Sequence, residues 1–156
     1  MLENLSIMAS NIKPLGLTLG PLLNMIGKAM RILLKEKGIS YSLEQLYILT
    51  VVRDSEEVVV QQDLAETLGK DKSFILRIVD SLENDGLIRR IVDSNDRRRN
   101  ILDVTYLGNQ LVNRFYEIEW KVTEVFFKGI SEEEIDAYYR VIAKIRANFD
   151  NCELIK

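Results

Sequence analysis

The hydrophobic period of this chain changes abruptly at Gly86. Before that glycine, apolar residues in 61–69 and 71–86 recur at steps of three and four, which indicates two short helices. After it, 87–92 and 100–104 are short, β-prone runs separated by turn-forming residues, a pattern typical of a β-hairpin. Two short helices followed directly by a hairpin predict a winged helix-turn-helix, in which the second helix enters a DNA major groove and the first supports it.

Four further helices are predicted from apolar stripes and from residues that start or stop helices. They run from Pro21 to Gly38, over about 43–53 behind a Ser42–Gln45 capping box, from Thr105 to Gly129, and from a Ser131–Glu134 capping box to about Phe149. Residues 54–60 are expected to form a short connection with room for a minor strand.

The residue types that the chain lacks exclude several kinds of site. Among 156 residues there is no histidine, and Cys152 is the one cysteine. Structural zinc sites and nucleophile systems built on histidine are therefore excluded. The sequence also contains no visible nucleophile–base pair, glycine-rich phosphate loop or metal-ligand spacing. We therefore expect neither enzyme activity nor a metal or cofactor.

Composition and the N-terminal residues predict the cellular compartment of the protein. Apolar residues make up 47% of the chain and charged residues 29%, as in ordinary soluble domains. No stretch reaches the ~18–20 consecutive apolar residues of a membrane helix. Residues 1–10 lack the basic start and long apolar middle of a signal peptide. We expect a cytoplasmic protein without a membrane partner.

The net charge of −3 does not by itself predict a nucleic-acid partner. Basic residues are nevertheless concentrated between Lys70 and Arg99, where eight of them accompany six acidic residues. Ordinary surface variation can produce the same distribution. The positions of the arginines within the predicted elements are more informative.

The outward face of the second short helix carries candidate DNA-reading groups. On a helical wheel, Ser73 and Arg77 point almost directly away from the apolar side that contains Ile75 and Val79. A hydroxyl and a guanidinium are groups that read base edges and hold phosphates, although an arginine on such a face is more often merely solvated. Phe74 lies on the flank, where such a residue is more often used for packing, and it is also a candidate for contact with a thymine methyl group.

Three consecutive arginines, Arg97, Arg98 and Arg99, occupy the predicted hairpin loop. Like charges in a tight turn repel one another, so such a loop usually has an anionic partner. Asp96 can hold one guanidinium in a charge-assisted pair, which leaves the others for the narrow, electronegative minor groove of DNA. A solvated charged turn is the alternative, and the adjacent helix pair favours DNA.

The stretch 61–108 resembles the core of the MarR (multiple antibiotic resistance regulator) family of bacterial transcription factors. The motifs that carry the likeness are a charged helix start with S-x-x-x-R (Asp71, Lys72, Ser73, Arg77), the run LENDGLI (82–88), and a wing pattern of D-x-R, an apolar strand and T-x-x-G (Asp96, Arg98, 100–104, Thr105, Gly108). The close match covers about a third of the chain, and the helix order extends it over nearly all of it.

The fold expected on these grounds is mainly α with a small β-hairpin wing. The resemblance implies a winged helix-turn-helix at 39–104 flanked by helical dimerisation segments at 1–38 and 105–156. It implies a homodimeric repressor that reads a pseudo-palindromic operator in double-stranded DNA, with Asp96 paired to Arg98. Eight of the twelve aromatic residues lie within 115–149, which agrees with an interface there. A small aromatic or phenolic effector is also implied, without assignable pocket residues.

The candidate DNA-binding residues are Lys72, Ser73, Phe74, Arg77, Asp96, Arg97, Arg98 and Arg99, with Lys72 expected at a phosphate. Two features depart from the family pattern or weaken the field near DNA. Val60 stands where relatives often carry a capping hydroxyl, so Gln61, Gln62 or water is expected to satisfy the helix start. Asp80 faces DNA unfavourably unless a cation pairs with it. The alternative function is a winged helix that docks on an acidic protein partner, which the net charge favours.

Overall fold

The computed structural model describes residues 13–94 and 96–152 and confirms the predicted order of elements. These elements are α1 (Leu15–Glu36), α2 (Leu43–Asp54), α3 (Gln61–Thr67), α4 (Lys72–Asn84), β1 (Ile88–Val92), β2 (Asn100–Val104), α5 (Tyr106–Phe126) and α6 (Glu132–Asp150). The fold is therefore mainly α with one two-stranded antiparallel sheet. Residues 1–10, on which the expectation about a signal peptide rests, lie outside the described part.

The described residues form two units, one up to Glu119 and one from Trp120 onward, so the boundary falls inside α5. In the second unit, the rings of Phe127 and Tyr138 meet edge to face with centroids 5.8 Å apart. None of the residues of α6 is buried. The predicted division into dimerisation and DNA-binding regions stays a prediction.

Helix α1 begins earlier than the sequence pattern predicts. Its first residue is Leu15, so Pro21 lies inside the helix and the predicted start at Pro21 is wrong. The backbone N–H of Leu17 donates to the carbonyl of Pro14 at 3.0 Å, so it is Pro14 that precedes the first turn. Pro21 has no backbone N–H, so the helix lacks one hydrogen bond at this position. The predicted end is confirmed, because Gly38 adopts a φ of +66° directly after the cap.

Helix α1 also carries a large apolar surface. In the described part of the chain it is the one helix that is long and apolar enough to cross a membrane, with a mean hydropathy of 1.2 over 18 residues, of which 11% are buried. Polar residues and glycines interrupt the apolar residues of α1, so it contains no uninterrupted apolar run of membrane length although its mean hydropathy is high. A single helix of this kind is weak evidence for a membrane span. Its exposed large apolar residues are Leu15, Leu17, Leu22, Leu23, Met25 and Ile32.

The predicted capping box at the start of α2 is present and also contacts α4. Ser42 Oγ accepts from the backbone N–H of Gln45 at 3.2 Å, and the Gln45 side chain accepts from the backbone N–H of Ser42 at 2.9 Å. The amide group of Gln45 then donates to Ser81 Oγ at 3.2 Å. Gln45, which belongs to the capping box of α2, therefore also links α2 to α4.

The hairpin has a single, continuous register. Ile88 pairs with Val104 and Val92 pairs with Asn100, so the predicted strands are confirmed. The backbone N–H of Leu102 donates to the carbonyl of Val59 at 2.9 Å, next to an isolated bridge between Val60 and Ile101. The expected minor strand is thus one bridge wide, and it attaches the start of α3 to the wing.

Helix α5 joins the wing through the two residues of the T-x-x-G motif. Thr105 Oγ1 donates to the carbonyl of Gly86 at 2.7 Å and accepts from the backbone N–H of Gly108 at 3.1 Å, which confirms the predicted cap. A Cβ atom on Gly108 would lie 2.2 Å from the carbonyl oxygen of Leu87 and 2.7 Å from Val104 Cγ1. Glycine is therefore required for α5 to approach the wing this closely.

The core of the first unit lies where α2 to α5 meet the base of the hairpin. Its fully buried large side chains are Met30, Leu46, Leu49, Leu64, Ile75, Val79, Leu82, Leu87, Ile88, Val112 and Phe115. Burial of one such aliphatic side chain contributes roughly 1.5–3 kcal/mol. Because these residues come from every helix from α1 to α5 and from β1, the winged helix shares one core with α1 and with the part of α5 before Trp120.

Polar contacts hold the end of α2 against α5. Tyr116 donates its hydroxyl to Asp54, and the Arg53 guanidinium lies 4.6 Å from the centre of the Tyr116 ring. Burial by itself raises the pKa of Asp54, but hydrogen bonds from Tyr116 and Arg53 outweigh it and hold the pKa of this carboxyl below its usual value. Asp54 is therefore held in its ionised form at the junction of the two helices.

The contact between Gly108 and Leu87 predicts that Gly108→Ala lowers the free energy of unfolding by about 1–3 kcal/mol, because a methyl group must displace the backbone of the wing. Gly16→Ala in α1 is the matched control, since nothing lies within 4 Å of its added Cβ. A helical alanine there should leave stability unchanged or raise it by about 0.5–1 kcal/mol. Urea denaturation at equal protein concentration measures both variants, and equal stability of the two would contradict the close approach.

Candidate nucleic-acid interface

The start of α4 is held by its own capping residue. The carboxylate of Asp71 accepts from the backbone N–H groups of Ser73 and Phe74 at 2.8 and 3.1 Å. An acidic cap of this kind satisfies two orphan donors and suits the positive end of the helix dipole. The charged start noted in the sequence therefore has a local structural role.

The outer face of α4 is as the helical wheel predicts. Ile75 and Val79 are buried, whereas Ser73 and Arg77 are exposed. Phe74 is half-buried and lines a cleft together with Arg77 and the first turn of α2. Arg77 forms no ion pair within the described residues, so its guanidinium is available to an external partner.

Lys72 lies at the first position of α4. Its ammonium group is 3.8 Å from a carboxylate oxygen of Glu66, and both side chains are about three-quarters exposed. Such a pair contributes little to stability and is easily exchanged for another anion. Lys72 thus stays a candidate for a phosphate contact.

Arg90 on β1, which is not among the residues predicted from the sequence, ties the helix pair to the wing. Its guanidinium donates to Asp80 and Glu83, both on α4, and its Nε donates to the side chain of Gln61 on α3 at 2.7 Å. The Arg90 side chain is 18% exposed. The cation that Asp80 needs is therefore supplied from within the chain, and Asp80 does not stand as an unpaired charge beside DNA.

The sequence indicates that one arginine lies on each face of 87–92, each beside two apolar residues, and only the structure shows which face is inner. Side chains alternate between the two faces of a strand, so residues 88 and 90 point to the same side. Ile88 is buried and Arg89 is exposed, which assigns Arg90 to the inner face. An arginine on an inner face requires acidic partners, and Asp80 and Glu83 lie one turn apart on the preceding helix.

Asp96 organises the turn at the tip of the wing. Its carboxylate accepts from the backbone N–H of Arg98 at 3.0 Å and lies 3.8 Å from Nε of the same residue. The Asp96–Arg98 pair that the resemblance implies is therefore present, with its shorter contact to the backbone. The Arg98 side chain is 95% exposed, and Arg97 is exposed as well.

The third arginine of the wing has a partner on α3. Nη2 of Arg99 lies 2.9 Å from Oδ2 of Asp63, and its side chain is 42% exposed. The two preceding residues are also in contact: the amide group of Gln62 donates to the carbonyl oxygen of Arg98 at 3.1 Å. The three arginines that look equivalent in the sequence thus differ in their surroundings.

These contacts overturn one expectation about α3. Val60 precedes the helix and offers no side-chain cap, as its residue type requires. Neither glutamine replaces it, because Gln61 accepts from Arg90 and Gln62 donates to the wing. The glutamine part of the prediction is therefore wrong, since both amide groups are used in tertiary contacts, and satisfaction of the helix start by water stays a prediction.

The acidic residue that follows α4 is also engaged. Burial raises the pKa of Tyr41, and the carboxylate of Asp85, which is hydrogen-bonded to its hydroxyl, raises it further. Asp85 thus interacts with the segment that precedes α2. Like Asp80, it has a partner within the chain.

The Arg90 contacts predict that Arg90→Met lowers the free energy of unfolding by about 1–3 kcal/mol, because Asp80 and Glu83 lose their shared cation. Arg89→Met is the matched control. Arg89 pairs with Asp103 on the exposed face of the same strand, where the side chains are 65% and 42% exposed, and an exposed pair is worth ~0–1 kcal/mol. Urea denaturation of both variants provides the measurement, and equal losses would show that Arg90 does not tie the elements together.

Comparison with known proteins agrees with this geometry. The model of the MarR family matches residues 37–99. A MarR-family transcriptional regulator from Rhodococcus sp. RHA1 is 25% identical, with a TM-score of 0.69 over 86% of this chain and 96% of its own. CouR from Rhodococcus jostii RHA1, solved with p-coumaroyl-CoA, is 26% identical, with a TM-score of 0.70 over 85% of this chain and 92% of its own.

The same fold occurs in MepR from S. aureus, solved as a complex with DNA. It is 21% identical, and the TM-score is 0.72 over 88% of this chain and 99% of that one. The family match covers α2 to α4 and β1, and the structural likeness to the Rhodococcus sp. RHA1 regulator covers 86% of the chain. The resemblance seen in the sequence is confirmed: residues 37–99 match the MarR family, and the fold is that of MarR-family transcriptional regulators.

Proposed function

We propose that this protein is a homodimeric repressor that binds a pseudo-palindromic DNA site and releases it in response to a small aromatic or phenolic ligand. The observation that carries the DNA-binding part is the unequal use of the arginines. Arg89, Arg90 and Arg99 pair closely with carboxylates of the chain. Arg77 and Arg97 have no ion pair in the described part, and Arg98 has one at 3.8 Å. Within the described part of the winged helix at 39–104, the guanidinium groups left over belong to the recognition helix and the wing tip.

The proposed roles follow from these positions. Arg77 and Ser73 read base edges in the major groove, Phe74 contacts a thymine methyl group, and Lys72 holds a phosphate. Arg98, with Asp96 as its neighbour, enters the minor groove. The net charge of −3 does not oppose this, because much of the acidic charge near the interface is neutralised by internal pairs.

Exposed apolar surface supports the dimer. Large contiguous apolar patches on a soluble protein mark interaction surfaces, and α1 carries one, as described above. The residues from 120 onward expose a second set: Trp120, Val125, Ile130, Tyr138, Tyr139, Val141 and Phe149. Pairing of two chains through these surfaces accounts for the hydropathy of α1 without a membrane, and it agrees with a cytoplasmic protein.

The effector part of the proposal rests on the family and on CouR, which is solved with a CoA-linked aromatic compound. A ligand that changes the spacing of two recognition helices acts strongly, because half-sites lie ~34–36 Å apart and both must be engaged together. Titration of a panel of aromatic acids and phenols against the DNA complex tests this part.

The roles of Arg77 and Arg98 differ in a measurable way. Selection from random DNA with the full chain first supplies the site. Arg98→Ala should then weaken binding to all sequences and reduce the salt slope by about one unit. Arg77→Ala should cost ~1–3 kcal/mol on the selected site and relax the preference at particular base pairs. Fluorescence anisotropy at several salt concentrations measures both, with Arg140→Ala on α6 as the control. Unchanged affinity for both variants would refute the interface.

The dimer has its own test. Sedimentation equilibrium should give twice the mass of one chain, and Trp120→Glu should shift the equilibrium towards single chains, because a charge is placed in apolar surface. A single-chain mass for the wild-type protein would contradict the dimer. Capture of a protein partner together with no retention on DNA at low salt would favour the alternative of a protein-docking winged helix.

A further inference from the structure

We propose that Asp63 and Gln62 on α3 are positioning residues for the wing, and that Arg99 anchors the wing to α3 instead of contacting DNA. This inference rests on the proposed function and refines it. The wing arginines then divide into one anchor, Arg99, and two that face outward, Arg97 and Arg98.

Two contacts carry the proposal. Nη2 of Arg99 lies 2.9 Å from Oδ2 of Asp63, and the amide of Gln62 donates to the carbonyl of Arg98 at 3.1 Å. Both contacts join residues that are 36 positions apart: residue 62 contacts residue 98, and residue 63 contacts residue 99. One contact holds a side chain and the other holds the backbone, so the loop is fixed in position and in orientation.

Two backbone hydrogen bonds lie within the loop. The backbone N–H of Asp93 donates to the carbonyl of Arg99 at 3.0 Å, and that of Arg99 donates to the carbonyl of Asp96 at 2.9 Å. These bonds close the turn, but they do not set its direction relative to the helices. With the carbonyl of Arg98 held by Gln62, the Arg98 side chain projects outward and is 95% exposed.

Energetics favours a role in DNA binding over a role in stability. The Arg99 and Asp63 side chains are 42% and 63% exposed, and exposed ion pairs contribute little to folding. A loop that is ordered before binding, however, does not lose conformational freedom when the complex forms. The anchor should therefore affect DNA affinity much more than the unfolding midpoint.

Asp63→Asn provides a test in which the sign of the effect decides. If Arg99 contacts phosphate, release of its guanidinium and removal of a negative charge near DNA should strengthen binding. Our proposal predicts the opposite, a loss of about 3- to 10-fold in affinity for the selected site, because one charge-assisted contact that orders the wing is lost. Gln62→Met should weaken binding in the same direction.

Two controls make the result specific. Glu66→Gln removes an exposed acid of the same helix, whose nearest cation is 3.8 Å away, and should leave affinity unchanged or higher. Asp63 lies in the first turn of α3, where its negative charge also stabilises the start of the helix. An Arg99→Ala background separates this effect from the contact with Arg99. If only the contact matters, Asp63→Asn has no further effect on affinity in that background.

Each outcome of these anisotropy titrations decides a question. Tighter or equal binding by Asp63→Asn, or an undiminished loss in the Arg99→Ala background, overturns the anchor. Wild-type affinity of both Arg98→Ala and Arg77→Ala overturns the proposed function itself. Loss of affinity with Arg98→Ala and none with Asp63→Asn overturns the anchor alone.

Discussion

The geometry of the winged helix depends on how one inward-facing arginine is neutralised. Arg90 leaves β1 on the side of the core, where a lone cation would be costly. Asp80 and Glu83 lie one turn apart on α4 and face it together, and Gln61 of α3 accepts the remaining donor. One side chain thus joins the supporting helix, the recognition helix and the wing.

This arrangement changes how the charge of the protein is interpreted. Net charge counts every acid equally, whereas a paired acid contributes little field at a distance. Asp80, Asp63 and Asp103 are each matched by an arginine of the wing. The charge that an approaching polyanion meets is therefore decided by the few guanidinium groups without a close partner, and an acidic chain can still present a basic surface.

The fold was largely predictable because its signals are local. Capping boxes at Ser42 and Ser131 connect residues three apart, and the end of α1 is marked by a glycine with positive φ. The main error in the predicted fold is the start of α1. Proline is preferred in the first turn of a helix, but Pro21 lies inside α1, because this preference does not by itself fix where a helix begins. In the candidate site, the outward position of Arg77 followed from the helical period. The burial of Arg90 did not follow from the sequence, because alternation places one arginine on each face of β1 and only the packing shows which face is inner.

By itself, the amino-acid sequence determined the order of the elements, the outward face of α4 and the identity of the basic loop, since each of these follows from residues within a few positions of one another. Only the tertiary structure decided which arginines bind a side chain of the same chain. Arg90 meets a partner 29 positions away and Arg99 one 36 positions away, and such pairs form only when the core brings α3 against the wing. Three adjacent arginines with equal local propensity therefore acquire different surroundings, because packing, and not sequence spacing, determines which carboxylates lie within reach.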